Sequence, residues 1–137
     1  MPGRLDTSDT GFARAFERGD IPPQEFHHRD HLRLAWAYLA ECGSTHEAIR
    51  RVAAGIRRFA AAAGAAEKYH ETLTAFWVTR LALVRSRLAG GADLDDAIRA
   101  DSGLLDKDLP LAYYSRDRLF GDDARRTWVE PDVRSLE

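Results

Sequence analysis

Four of the five histidines in this chain lie in two short stretches, Phe26-His27-His28-Arg29-Asp30-His31-Leu32 and Lys68-Tyr69-His70-Glu71-Thr72. Residues three apart on a helix share a face, so His28 and His31 can point the same way; His27 and His31, four apart, offer a second pairing. His70 stands beside Glu71 and one helical turn after Glu67. A Glu-x-x-His pair facing histidines on a neighbouring helix is the arrangement that helical bundles use for core metal sites. His28, His31 and His70 with Glu71, or with Glu67 in its place, would suit a divalent ion such as zinc, iron, manganese or nickel. The first turn of a helix disfavours a protonated imidazole and so favours the neutral form. That form serves a metal ligand and a metal-free general base equally well.

Other residues fall into place around this set. His27 is expected to face away from the pair, and His46, inside a capping sequence, to be solvated. Tyr113, Tyr114 and Ser115 follow Leu109-Pro110 and are expected to fold a polar-tipped loop over the site, where the tyrosines would orient substrate. Trp36, Phe76 and Trp77 sit at helical spacing and read as core. Arg50, Arg51, Arg57 and Arg58 read as a solvated basic face.

The elements that must position these groups are helical. Phe12, Ala13, Ala15 and Phe16 give an i, i+3, i+4 face to a first helix over about Thr10 to Arg18, stopped by Gly19. Pro22-Pro23 breaks the chain, and a second helix starts between Pro22 and His28. It carries Leu32, Leu34, Ala35, Trp36, Tyr38 and Leu39, an apolar surface wider than one stripe, and is expected to stop at Gly43 in the left-handed conformation. Ser44-x-x-Glu47 is a capping box opening a third helix that ends at Gly64. A fourth runs from near Glu67 to about Ala89, ended by Gly90-Gly91, and Asp93 or Asp95 caps a short fifth. From Ser102-Gly103 the tail mixes helical turns and loop. Nothing reads as a sustained alternating strand, so the fold class is all-α: one domain, a bundle of four to five main helices with an irregular C-terminal tail.

Composition narrows the function classes. With 137 residues, 45% of them hydrophobic, the chain makes one ordinary core. A formal net charge of −2 with interleaved signs gives no basic stripe for nucleic acid. Cys42 is the single cysteine, which rules out an internal disulfide and a thiolate-rich metal site and fits a reducing, cytoplasmic setting. No basic neighbour in sequence activates that thiol, so it reads as structural. No stretch approaches the roughly 20 apolar residues of a membrane span. No organic cofactor is indicated.

The quoted motifs resemble a family of small bacterial proteins of uncharacterised function. The resemblance rests on Phe26-x-His28-x-x-His31-Leu32-x-x-Ala35-Trp36, on Lys68-Tyr69-His70-Glu71-Thr72-x-Thr74, on Tyr113-Tyr114-Ser115 and on a closing Pro131-Asp132. It implies that His28, His31, His70, Glu71 and the two tyrosines are the site residues, and it favours Glu71 over Glu67. It supplies no activity. DinB-like metal-binding four-helix bundles also carry three histidines on bundle helices, but their closely spaced pair comes late in the chain; that likeness is analogy only.

Three readings of function follow. One is a metal-dependent enzyme acting on a small molecule, with His28, His31, His70 and Glu71 as ligands, Glu71 or His70 serving the chemistry, and the tyrosines orienting substrate. Another is a metal-free enzyme using a neutral histidine oriented by a carboxylate. The third is a ligand-binding or interaction module with structural histidines, in which the broad surface of the second helix forms a homodimer face.

Overall fold

The computed structural model describes residues 8–136, and among them it is all-helical, with no strand. Seven α-helices follow in order: α1 (Asp9–Arg18), α2 (His28–Glu41), α3 (Thr45–Ala62), α4 (Glu71–Ser86), α5 (Leu94–Ala100), α6 (Arg116–Leu119) and α7 (Asp122–Arg126). Single 3-10 turns at Pro23–Glu25, Ala66–Lys68, Ser102–Leu105 and Leu109–Ala112 join them. No helix among the described residues is long and apolar enough to cross a membrane.

The caps explain most boundaries. Ser8 accepts the Gly11 amide at the start of α1, and Gly19 closes that helix at φ 81°. The Ser44 hydroxyl accepts the Glu47 amide at 3.1 Å, and the Glu47 carboxylate accepts from Gly43 rather than from Ser44. The box thus reaches one residue further back than its usual form. Gly43 is not left-handed, contrary to expectation: α2 already ends at Glu41, and Cys42 turns the chain out in an extended conformation. Gly64 at φ 71° and Gly91 at φ 87° are left-handed, where a side chain would be strained. Asp93 caps α5 through the Asp96 amide. The fourth helix starts later and ends earlier than its pattern suggests, because Glu67 lies in the Ala66–Lys68 turn and the chain extends through Tyr69 before α4 begins.

α2 and α4 form the centre. The wide apolar surface of α2 is used inside the chain: Leu32, Leu34, Ala35, Trp36, Ala37 and Tyr38 are all buried, against α1, α3 and α4. These residues, which one of the three readings offered as a homodimer face, are core of the single chain. α4 is covered on two sides, by α2 and α3 through Val78 and Leu81, and by α7 and the tail, where Phe76 packs with Tyr113, Tyr114 and Leu119. Two cores thus share one helix.

Close packing builds one wall of the site described below. A Cβ at Gly55 on α3 would lie 2.9 Å from the Phe16 ring, so only glycine lets α3 approach that ring as it stands. Phe16 in turn stacks on Phe26 and Phe59, with centroids 5.0 and 5.1 Å away. The arginines of α3 are not simply solvated. Arg51 pairs with Glu17 and Glu41 and lies over the Tyr38 ring, with Cys42 beside it, and Arg57 pairs with Glu71.

Candidate functional site

The starts of α2 and α4 meet over a cavity of about 440 Å³, lined by His28, His31 and His70 together with Phe26, Leu73 and Trp77 and, deeper in, by Val52, Ile56 and Val78. Its size and mainly apolar lining, with a few convergent polar groups, are those of a small-molecule site. Exposed His27 stands at the edge. His27 precedes the first turn of α2, its amide held by the Asp30 carboxylate at 2.9 Å, so His28 is the first helical residue and His31 comes one turn later on the same wall.

The three histidines differ in what holds them. His70 is the N-cap of α4 and is buried. Its Nδ1 accepts the Leu73 amide at 3.1 Å, and its Nε2 donates to the Leu119 carbonyl at 2.7 Å. A carbonyl only accepts, so these contacts fix the neutral ring with the proton on Nε2 and leave neither nitrogen free. Burial, with nearby Arg125 adding to it, outweighs the Leu119 bond and lowers its pKa. Thr72 ties the same helix start to the tail through the Thr127 carbonyl at 2.9 Å, and Thr74 donates to the His70 carbonyl.

His28 is half committed. Its Nε2 donates to the Leu104 carbonyl at 2.8 Å, and its ring meets Trp77 edge-on at 4.5 Å between centroids. Nδ1 is left as an acceptor. The carbonyl it meets belongs to a turn anchored from α4, where Arg80 pairs with Asp101 at 2.8 Å and Asp101 in turn accepts the Gly103 amide. Burial lowers the pKa of His28, and Lys107 adds to this against Asp106 and the Leu104 bond.

His31 is uncommitted. Its ring lies 4.3 Å from that of Phe26, and among the described residues nothing hydrogen-bonds either nitrogen. Burial pushes its pKa down to about 4, the neighbouring His28 contributing and Asp30 opposing. At neutral pH it is an uncharged ring offering one donor and one acceptor to the cavity.

The remaining site residues lie elsewhere. Glu71 does not line this cavity: its carboxylate accepts from Tyr69 at 2.6 Å and from Arg57 at 3.1 Å. The sequence pairs His70 with Glu71, but N-cap and first helical residue point in different directions. Glu67 offers only its carbonyl, to Arg125. Among the described residues no three His, Cys, Asp or Glu side chains converge as an ion would require. Tyr113 and Tyr114 belong to the second core: Arg80 donates to the Tyr113 hydroxyl at 2.7 Å and Tyr114 donates to the Val129 carbonyl at 2.8 Å. The loop expected over the site is instead pinned by Asp132, which accepts from the Ser115 amide and hydroxyl. The tyrosine that does line the cavity is Tyr69, under Arg57, with its pKa raised by burial and by its bond to Glu71. Trp77, read as core, is a wall. Lys68 and Lys107 also line the cavity; only the three-dimensional fold brings them together. His46 is exposed on α3.

Compared with protein-family models, with curated proteins and with solved structures, the chain finds no match in any of the three.

Proposed function

We propose that the protein is a small-molecule enzyme working by histidine acid–base chemistry in the cavity between the starts of α2 and α4. The observation that carries this is His31, a largely enclosed, uncharged imidazole on a cavity wall with both nitrogens unengaged among the described residues. Polar side chains inside a protein ordinarily find partners, so a ring left open toward a cavity is set aside for a ligand. Nδ1 of His28 supplies a second acceptor one turn away. With a pKa of about 4 His31 alone is a weak base at neutral pH; negative charge on a bound molecule raises it, and the two rings can then receive a proton and return it elsewhere, the requirement of proton abstraction, isomerisation or dehydration. His70 holds the cavity open without taking part, and the reaction belongs in the cytoplasm without nucleic acid. The family resemblance belongs to the same proposal, since Phe26, His28 and His31 of its first motif and Lys68, Tyr69 and His70 of its second line the cavity.

Histidine side-chain NMR on the full chain tests the reading. Small molecules that bind should shift the ring signals of His31 and His28 together and leave the His70 tautomer unchanged; binders that move neither ring would overturn it. The metal-dependent reading narrows to His28 and His31 as the ligands, because the described contacts engage His70 and Glu71 elsewhere. Titration with zinc distinguishes it, since a bound ion would displace both ring signals and a chelator would restore them.

A further inference from the structure

The chain has 20 basic side chains, and 18 of them are arginine. The only two lysines, Lys68 and Lys107, both line the histidine cavity, one from the turn before α4 and one from the turn after Leu105. Most arginines are engaged, with carboxylates, carbonyls or aromatic rings, as a planar fork suits. Neither lysine side chain has an ion-pair or hydrogen-bond partner among the described residues. A lysine is a compact charge on a flexible stem with three donors, able to reach a ligand that comes and goes.

The surroundings favour negative charge. No Asp or Glu is among the residues lining the cavity. Three acids near it are turned to other partners, Asp30 to the His27 amide, Glu71 to Arg57 and Tyr69, and Asp106 to the Asp108 amide, while exposed Glu67 and Asp108 stand outside the lining. Two long helices, α2 and α4, begin at its wall and present their positive ends. Behind the lysines the lining turns apolar, with Phe26, Leu73, Trp77, Val52 and Ile56. Charge at the rim over an apolar floor fits a molecule with one acidic end and an uncharged body.

Resting on the reading of the cavity as a small-molecule site, we propose that its substrate is a small organic anion, an aryl or alkyl body carrying one carboxylate or phosphate. Lys68 and Lys107 hold the acidic group, Trp77 and Phe26 flank the body, and His31 faces the part of the molecule between them. Both lysines are exposed, so replacing them does not disturb the core.

The test is binding of small aryl and alkyl carboxylates, each paired with its carboxamide, together with the matching aryl phosphates, to the full chain, followed by the His31 ring signal. The anion is expected to bind about tenfold or more tightly than its amide, and K68Q and K107Q each to weaken the anion by about fivefold with the amide unchanged. The comparison of carboxylate and phosphate arms identifies the acidic group. Equal binding of acid and amide, or acid binding that survives the K68Q/K107Q double variant, overturns the anionic substrate and leaves the small-molecule site standing. If no compound of either kind moves the His31 signal, both proposals fall.

Discussion

His70 and His31 line one cavity and are treated in opposite ways by the fold. At the α4 wall the ring is saturated: one nitrogen closes the first turn of its own helix and the other ties that helix to α6 through Leu119. At the α2 wall the ring is packed by an aromatic neighbour and otherwise left alone. Burial lowers the pKa of both rings. The difference lies in what an incoming molecule finds: at His70 it would have to break two hydrogen bonds, and at His31 it breaks none. A shared cavity therefore does not make two histidines equivalent, and saturation separates the one that builds from the one that acts.

The largest effect expected is on stability at the α4 wall. His70→Ala removes the cap and the tie to Leu119 and leaves their partners unpaired, so urea unfolding should show a loss of about 2–4 kcal/mol. His31→Leu, in contrast, should change stability by no more than about 1 kcal/mol at pH 8 while abolishing ligand-induced shifts at His28. If the two variants lose similar stability, the comparison fails.

Acid should test the property that the rings share. His31 has a folded value of about 4 against an ordinary 6.5, so between these the unfolded chain holds a proton that the folded chain does not. Stability is therefore complete above pH 6.5 and falls as the pH drops toward 4, by up to about 3 kcal/mol from this group. His28 and His70, both lowered, act in the same direction. Unfolding followed across this range should flatten in His31→Leu, and an unchanged slope would remove His31 from the set of buried neutral rings.

Smaller effects sharpen the picture. His28→Ala breaks the bond to Leu104 and should cost about 1 kcal/mol in denaturant while loosening the Ser102–Leu105 turn, visible as faster amide exchange at Leu104. Glu71→Gln weakens a pair whose arginine is more than half exposed, 57% by side-chain area, and should cost less than about 1 kcal/mol without altering binding in the cavity. A strong loss of binding in Glu71→Gln would return the carboxylate to the site.

The all-helical class and several helix ends were legible in the sequence because they are local. Ser44, Asp93, Gly19 and Gly64 act on residues within one turn, and their types specify what they do. Gly43 misled because the preceding residue, Cys42, had already left the helix in an extended conformation. What the site needs is less local. His70 gains its second partner from a carbonyl 49 residues away, and Glu71 is drawn from the cavity by Arg57 on another helix. Tyr113 and Tyr114, polar-tipped and a few residues after Pro110, look like a loop over a site, but Phe76 and Arg80 on α4 claim them for the second core. Lys68 carried a usable signal, being one of only two lysines among 20 basic residues, whereas its convergence with Lys107 depends on the folded chain.

The most direct test of a building His70 and an acting His31 is a long-range ¹H–¹⁵N correlation of the histidine rings, recorded from pH 8 downward with and without a bound small molecule. His70 is expected to be fixed with its proton on Nε2 and insensitive to ligand, and His31 to be neutral, with tautomer populations that shift on binding. A His31 ring locked in one tautomer and indifferent to every ligand, beside a His70 that titrates near 6.5, would contradict this.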